Sequence, residues 1–259
     1  MNKQPGIGEI RNAYRRIQPH INKTSVLTCS TLNNMMDTDL FFKCENFQKV
    51  GAFKFRGACN AIFSLSEEEA SHGVVTHSSG NFAAALALAA RIRGIPAYIV
   101  MPRTAPQVKI DAVKGYGGKI TFCEPNLDAR EKSASEIIDQ TGAILIHSYN
   151  DYRIIAGQGT AALELIEEVG ELDYLLVPLG GGGLISGSAI TSKALLPKCR
   201  VIGCEPKNAD DAFRSKKAGY IIPSVNPDTI ADGLLTSLGD KTFPVIRDLV
   251  DEIVLATEE

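Results

Sequence analysis

The sequence of 259 residues has no excess of basic residues. Its 27 lysines and arginines stand against 30 aspartates and glutamates, which gives a formal net charge of −3 and a pI of about 5.9. No basic cluster is longer than a pair such as Lys216-Lys217. Proteins that bind nucleic acids usually carry a basic patch that contacts the phosphates. We therefore do not expect a nucleic-acid partner.

Long apolar runs are also absent. The longest run, residues 82–90, is far shorter than a membrane span, which needs about 20 apolar residues. The first 20 residues are polar and of mixed charge, unlike the apolar centre of a secretory signal. We expect no membrane partner and a cytoplasmic location.

The six cysteines form no C-x-x-C pair, and several of them lie within apolar segments. Free cysteine is among the residue types that are most often buried. We therefore expect buried free thiols rather than disulfides or a zinc site. The cysteines are Cys29, Cys44, Cys59, Cys123, Cys199 and Cys204.

Short β-branched segments alternate with longer helical patterns from about residue 73 onward. This alternation is typical of an α/β fold with parallel strands and crossover helices. The predicted strands are residues 74–76, 97–101, 119–123, 143–147, 174–179, 201–205 and 252–256. The predicted helices are residues 82–93, 105–116, 127–140, 154–169 and 184–196. The less regular first part predicts a helix at 7–17, a strand at 40–45 and a helix beginning near Lys54.

Four consecutive glycines, Gly180, Gly181, Gly182 and Gly183, follow a predicted strand and precede a predicted helix that starts at Leu184. Backbone N–H groups in such a loop can converge on an anion, and the helix N-terminus adds a positive dipole end. A flexible turn would need only one glycine, so the loop predicts a phosphate site.

The loop does not by itself identify the phosphate. The dinucleotide fingerprint fails at its last glycine, but Glu205 ends the next predicted strand where a ribose-binding acid would lie. A nicotinamide-dependent dehydrogenase is therefore a rival hypothesis. The P-loop pattern and the G-x-S-x-G elbow of hydrolases are both missing.

Two further segments could carry chemistry. Residues 76–81 lie between a predicted strand and a helix, and Ser79 or Asn81 would serve there as an N-cap. Lys54 stands between two phenylalanines, Phe53 and Phe55, where desolvation could lower its pKa as an imine-forming amine requires. Taken alone, this lysine would be an ordinary surface charge.

Together, residues 53–58 (FKFRGA), 78–81 (SSGN) and the four glycines resemble the pyridoxal-phosphate enzymes of the tryptophan-synthase-β fold type, also called fold type II. Within that group the chain is similar to the serine racemases and the L-serine/L-threonine dehydratases. Further matches extend over the whole chain, including residues 155–160 (IAGQGT) and 205–211 (EPKNADD). The resemblance implies two open, twisted, mainly parallel sheets flanked by helices, with the cofactor in the cleft between two domains.

The resemblance also implies roles for individual residues. Lys54 would bind pyridoxal phosphate covalently and act as a base on one face of the substrate Cα, and Ser79 would act on the opposite face. Racemisation of serine and elimination of water to give pyruvate and ammonia would follow. The cofactor-binding set is Phe53, Lys54, Asn81, Gly180, Gly181, Gly182, Gly183 and Leu184, and the substrate set is Ser78, Ser79, Gly80, Asn81, Arg130 and Asp232.

A divalent-metal site is implied at Glu205, Ala209 and Asp211, where two carboxylates and a carbonyl suit Mg²⁺, Ca²⁺ or Mn²⁺. Without the resemblance, Glu205 and Asp211 would be a solvated strand end and a helix cap. The resemblance further implies a large domain of residues 1–72 and 151–259, a small domain of residues 73–150, and a homodimer. ATP is a candidate regulator because it regulates some relatives.

The sequence departs from the family pattern at several positions. Phe82 and Ala83 replace His and Gly, residues 147–151 replace a proline-containing loop, and Thr236 stands where serine racemases have Ser. These departures leave serine, threonine and aspartate open as substrates of a racemase or a dehydratase. In the family the chain continues past the equivalent of Glu259, so a cofactor-binding protein without turnover is a third hypothesis.

Overall fold

The computed structural model describes residues 3–78 and 80–258. The helices are α1 (Ile7–Ile17), α2 (Ser30–Met36), α3 (Lys54–Phe63), α4 (Glu67–Ser71), α5 (Asn81–Arg93), α6 (Gln107–Gly115), α7 (Leu127–Thr141), α8 (Tyr152–Val169), α9 (Gly183–Leu195), α10 (Asp211–Ala218) and α11 (Thr242–Leu249). The strands are β1 (Val26–Leu27), β2 (Phe42–Lys43), β3 (Val74–His77), β4 (Ala97–Pro102), β5 (Lys119–Cys123), β6 (Ile144–Leu145), β7 (Tyr174–Pro178), β8 (Arg200–Pro206) and β9 (Glu252–Ala256). Short 3-10 turns are Glu45–Phe47, Lys49–Gly51, Lys207–Ala209 and Asp232–Leu234.

A four-stranded parallel sheet with the order β5-β4-β3-β6 forms between residues 74 and 145. Its central strands β3 and β4 are mostly buried, since helices such as α5 and α7 pack against the sheet. Parallel strands need such crossover helices because the chain must return from the carboxyl end of one strand to the opposite end of the sheet, where the next strand begins. The carboxyl end of β3 leads directly into Ser78 and α5.

A second parallel sheet has the order β7-β8-β9. Leu175 and Val177 of β7 are buried in a core that includes Ile185 of α9. The opposite face is open, with Leu176 63% exposed and Val254 38% exposed. This face differs from the usual parallel sheet, which is covered on both sides.

Helix α8 is the central helix of the fold. It is buried from Ile154 to Ile166 and packs against α1, α3 and α9. Its apolar residues surround the helix instead of forming a single stripe, which is typical of a helix buried on all sides. The two helices that begin at Lys54 and at the glycine loop therefore share one packing partner.

The predicted α/β fold with mainly parallel sheets is confirmed, and β1 and β2 add a small antiparallel pair. The predicted elements are present with shifted ends. The strands predicted at 40–45 and 143–147 are shorter, at Phe42–Lys43 and Ile144–Leu145. Half of the pairing residues in these short strands are exposed, and Leu145 is 42% exposed. Little burial is therefore gained by extending the strands.

The expectation that the thiols are buried holds for half of them. All six cysteines are free, but only Cys59, Cys123 and Cys199 are fully buried, whereas the other three lie half-buried. In the described part of the chain, no helix is both long and apolar enough to cross a membrane. The four-stranded sheet falls within the small domain predicted at 73–150, and the domain division itself stays a prediction.

Candidate active site

Lys54 is the first residue of α3 and lies partly buried. Its Nζ donates a long hydrogen bond of 3.4 Å to the carbonyl oxygen of Ser148 and lies 5.1 Å from the centre of the Phe53 ring. Burial lowers the pKa of the Lys54 amine to about 8. A lysine with a lowered pKa is more often neutral near physiological pH and can act as a nucleophile.

The backbone before Lys54 is strained. Val50 has φ 60° and Gly51 has φ 70°, both in the left-handed region. A β-branched residue rarely adopts this conformation, and such strain costs on the order of 1–3 kcal/mol. The N-cap position of α3, Phe53, supplies no side-chain cap, so the start of this helix is fixed by other contacts.

The segment 147–150 faces Lys54 and is held by His147. The Nδ1 atom of His147 accepts the N–H of Asn150 at 3.0 Å and that of Tyr149 at 3.4 Å. Burial lowers the pKa of His147 to about 4, so the ring is neutral and Nδ1 is free to accept. His147 thus has the structural role that is common for a buried histidine.

The four glycines form the turn between β7 and α9, and all four are buried. Gly182 has φ 88°, which only glycine adopts readily. A Cβ at Gly181 would stand 2.6 Å from the Tyr149 ring, and one at Gly180 would stand 2.9 Å from the Cα of Leu234. Neighbouring residues therefore pack closely against the loop. Its N–H groups lie at the N-terminus of a 13-residue helix, where an anion is favoured.

Tyr149 connects Lys54 to this loop. The residue before it accepts the Lys54 hydrogen bond, and its own ring packs on Gly181. Thr242 supports the loop from the other side, since its Oγ1 donates to the Gly181 carbonyl at 2.9 Å. The sequence analysis did not identify Tyr149, Ser148 or Thr242 as contacts of Lys54 or the glycine loop, although residues 147–151 stand out as a departure from the family pattern, because no local pattern marks a contact between segments so far apart in the chain.

The serine-rich loop after β3 begins beside the same segment. The ring of His77 lies edge-on to His147, with 5.9 Å between the ring centres. Gly80, and not Ser79 or Asn81, occupies the N-cap of α5, and its N–H donates to Ser78 Oγ at 3.4 Å. Asn81 is the exposed first residue of the helix, whereas Ser79 lies outside the described residues.

Arg130 and Asp232 are the remaining predicted substrate residues. Arg130 is half-buried on α7, and its Nε has no hydrogen-bond partner among the described atoms. The carboxylate of Asp232 pairs with Lys109 Nζ at 2.6 Å and is largely exposed. This ion pair joins α6 to the 3-10 turn that packs against the glycine loop.

Glu205 and Asp211 are both buried, so Glu205 is not the solvated strand end that would be expected without the family resemblance. The Glu205 carboxylate accepts the N–H groups of Ala212 and Phe213 at 2.8 and 2.9 Å, so it does cap α10. Burial raises the pKa of Glu205 to about 7 and that of Asp211 to about 6. Asp211 Oδ2 is buried without a hydrogen-bond partner among the described atoms.

These two carboxylates flank the 3-10 turn that contains Ala209. Within residues 3–78 and 80–258, no group of three acidic, histidine or cysteine side chains is placed to hold a metal ion. A cation here would need the backbone carbonyl and water in addition to the two acids. Because Glu205 is buried and bonded to α10, it is also badly placed for a ribose, which removes the main support for a dehydrogenase.

Comparison with known proteins gives a consistent result. Residues 17–259 match the family described as pyridoxal-phosphate dependent enzyme. A serine racemase of Arabidopsis thaliana is 57% identical over 249 residues, which are 96% of this chain and 75% of the plant protein. A β-hydroxyaspartate dehydratase of Paracoccus denitrificans is 52% identical over 254 residues, which are 98% of this chain and 81% of the bacterial protein.

The solved structure of maize serine racemase superposes with a TM-score of 0.97 at 50% identity, covering 99% of this chain and 78% of the maize chain. The similarity therefore extends over almost the whole chain and includes both sheets. The expected fold type is confirmed, and the chain belongs to the family of pyridoxal-phosphate-dependent enzymes.

Proposed function

We propose that the chain racemises serine and also eliminates water from serine, giving pyruvate and ammonia. The observation that carries the proposal is the position of Lys54, a partly buried amine with a lowered pKa that is linked through residues 148 and 149 to a glycine loop at a helix N-terminus. The high identity to serine racemases supports this substrate.

The residues at the site fit pyridoxal phosphate. The glycine loop offers backbone N–H groups at the N-terminus of α9 for the phosphate, and Lys54 offers the amine for covalent binding. When bound, the cofactor supplies an electron sink for the negative charge that develops at the substrate Cα. The residues that would hold it are Phe53, Lys54, Asn81, Gly180, Gly181, Gly182, Gly183 and Leu184.

Proton transfer is assigned to two residues. Lys54 removes or delivers a proton on one face of Cα, and Ser79 does so on the other face. Groups on both faces allow the configuration to invert, whereas loss of the β-hydroxyl needs only one of them. The substrate carboxylate would be bound by Ser78, Gly80 and Asn81, with Arg130 as a mobile partner. Asp232 completes the predicted substrate set.

The proposal includes a divalent cation at Glu205, Ala209 and Asp211. The donor chemistry is that of a hard cation such as Mg²⁺, Ca²⁺ or Mn²⁺, which takes oxygen ligands. The unpartnered buried oxygen Oδ2 of Asp211 supports this assignment, because a buried polar atom without a partner is costly and a cation would satisfy it. The homodimer, regulation by ATP and the cytoplasmic location stay predictions.

Visible absorption of the purified chain with pyridoxal phosphate tests the proposal. We expect a band of the bound cofactor that disappears in Lys54→Ala and persists in Lys49→Ala. Lys49 is a matched control because its Nζ lies 5.7 Å from the centre of the Phe55 ring, a setting similar to that of Lys54. A missing band, or one that survives in Lys54→Ala, would contradict the proposal.

The role of Ser79 is tested by comparing two activities of one variant. We expect Ser79→Ala to lose interconversion of the serine enantiomers while elimination from L-serine is largely retained. An equal loss of both activities would contradict the assigned role. Chiral chromatography and a pyruvate assay on the same samples measure the two rates.

A dehydratase without racemase activity is the second candidate. The dehydratase of Paracoccus denitrificans supports it, because its named activity is elimination and its identity to this chain is 52%. The half-buried Arg130, with its unpartnered Nε, could bind an additional carboxylate of an acidic substrate. Turnover of β-hydroxyaspartate, threonine and aspartate alongside serine separates these alternatives.

A further inference from the structure

A group of buried charges that the proposed reaction does not use lies next to Lys54. Arg56, two residues after Lys54 in the first turn of α3, has a side chain with no solvent exposure. Its guanidinium contacts two carboxylates, those of Glu45 and Glu164. Lys43 contributes a second cation, so the four side chains balance in charge. We call these four residues the buried charge cluster.

Each of the two carboxylates accepts two hydrogen bonds from Arg56. Nε and Nη2 donate to the two oxygens of Glu45, both at 2.8 Å, while Nη1 and Nη2 donate to the oxygens of Glu164 at 2.9 and 2.8 Å. Such paired bonds fix the orientation of the planar guanidinium, which a lysine ammonium cannot reproduce. Burial alone would lower the pKa of Arg56, but the bonds to Glu164 and Glu45 raise it, so the charge is permanent.

The two acids belong to different elements of the fold. Glu45 lies in the 3-10 turn after β2, whereas Glu164 lies in α8. Helix α8 follows directly after the segment whose Ser148 carbonyl accepts the Lys54 hydrogen bond. The contact between α3 and α8 is also close, since a Cβ at Gly157 would stand 2.7 Å from the Arg56 carbonyl oxygen. Arg56 therefore links the start of α3 to α8, the helix that follows the Ser148 carbonyl to which Lys54 donates its hydrogen bond.

Apart from Arg56, the first turn of α3 is held by apolar packing, since Phe55 is buried in the hydrophobic core. Phe53 provides no side-chain cap, and the preceding Val50 and Gly51 have positive φ. In the described part of the chain, no carboxylate forms an ion pair with Lys54, and the cluster keeps its two acids bound to Arg56 and Lys43. The cluster thus both holds the helix start and leaves the Lys54 amine without a counter-ion.

We propose that Arg56 is a positioning residue for Lys54: its paired bonds to Glu45 and Glu164 hold the Lys54 amine at the Ser148 carbonyl, in reach of a carbonyl compound. The inference rests on the proposed function, in which Lys54 is the reactive amine. A misplacement of a reacting group by about 1 Å can lower a rate by as much as about a hundredfold. A small rotation of the first turn would therefore be sufficient to reduce Lys54 reactivity.

The test uses Arg56→Lys, which keeps the positive charge but cannot form both pairs. The full chain without cofactor is incubated with pyridoxal, the adduct is fixed with borohydride, and labelling of Lys54 is measured by peptide mass spectrometry. Lys49 in the same protein is the internal reference. We expect the ratio of Lys54 to Lys49 labelling to fall at least about tenfold in Arg56→Lys. Thermal unfolding is measured in parallel to show that the variant is folded.

A core variant, Ile253→Ala, controls for lost stability, because Ile253 of β9 is buried in the hydrophobic core of the second sheet and is not part of the buried charge cluster. It is expected to unfold at lower temperature with an unchanged labelling ratio. If Arg56→Lys does not fold, Glu45→Gln tests the positioning role instead. It weakens the bonds between Arg56 and residue 45 and leaves those between Arg56 and Glu164. An unchanged ratio in a folded variant of the cluster would overturn the inference.

The experiment distinguishes a failure of this inference from a failure of the proposed function. If the wild-type chain gives no cofactor band and no serine turnover, while Lys54 labelling depends on Arg56, the proposed function fails and the positioning role stands. If the band and turnover are present but the labelling ratio is insensitive to Arg56, the positioning role fails alone.

Discussion

Gly187 of α9 lies directly against Gly159 of α8. A Cβ at Gly159 would stand 2.8 Å from the Gly187 carbonyl oxygen, and a Cβ at Gly187 would overlap the backbone of both Ile155 and Gly159. On its other side, α8 contacts α3 through Gly157 at a similar distance. Helix α3 begins at Lys54 and α9 begins at the glycine loop, so α8 sets the spacing between the amine and the candidate phosphate cradle.

Gly187→Ala is expected to separate α8 from α9. Overpacking of this kind costs about 1–3 kcal/mol, with a shift of backbone because the obstacle is not a flexible side chain. The free energy of unfolding in urea measures the loss. Gly8→Ala is the matched control, because Gly8 lies in α1 with open space around it. That control is expected to gain roughly 0.5–1 kcal/mol from helix propensity, and an equal loss in both variants would contradict the packing argument.

Glu164→Gln is expected to destabilise the fold strongly. It leaves Arg56 and Lys43 with one carboxylate fewer in a buried site. Breaking a buried ion pair from one side costs about 3–5 kcal/mol. Glu167→Gln, on the exposed face of the same helix, is expected to change stability by less than about 0.5 kcal/mol. Chemical unfolding of both variants is the measurement, and similar stabilities would show that the cluster contributes little.

The pKa of Lys54 predicts a dependence of stability on pH. The amine titrates at 10.5 in the unfolded reference and at about 8 in the folded chain. Between these values the folded chain binds fewer protons, so this contribution to stability is complete above pH 10.5 and is lost progressively as the pH falls from 10.5 to about 8. From pH 10 to pH 8, the wild type is expected to lose about 2 kcal/mol relative to Lys54→Met. Lys49→Met, which keeps Lys54, should show the same pH dependence of the free energy of unfolding as the wild type. If the difference in unfolding free energy between wild type and Lys54→Met does not change with pH, the lowered pKa is contradicted.

Addition of Mg²⁺ is expected to stabilise the wild-type chain more than Asp211→Asn. A ligand at about 100 times its Kd stabilises the folded state by about 2.7 kcal/mol. Asp210→Asn is the matched control, because Asp210 lies next to Asp211 but pairs with Arg214 on the same helix. Thermal unfolding with and without Mg²⁺ gives the shift. Equal shifts in Asp211→Asn and wild type would remove the assigned metal site.

Much of the fold could be predicted because its signals are local. The segments at 119–123 and 252–256 have strand composition in a short window, and the structure places β5 and β9 at these residues. The helix predicted at 7–17 is likewise α1. Predictions were weakest where burial decides the ends, as for β2 and β6, because the extent of burial depends on the elements that pack nearby.

The candidate site was predicted in part. Lys54 and the four glycines carry local signals, and the structure links them through residues 148 and 149. The burial of Glu205 could not be predicted from its neighbours in the sequence, because nothing near it in the chain shows that α10 covers it. The roles of Ser79, Asn81 and the metal set stay predictions.

The sequence by itself determined the strand and helix periodicity, the glycine loop before α9 and the lysine between two phenylalanines, since each depends on residues that are neighbours in the chain. Tertiary structure alone decided the contacts that give those residues their chemistry. Lys54 meets Ser148 across 94 positions, and Arg56 meets Glu164 across 108. Such pairs have no local pattern, because they form only when α8 packs between the two helices that begin the site.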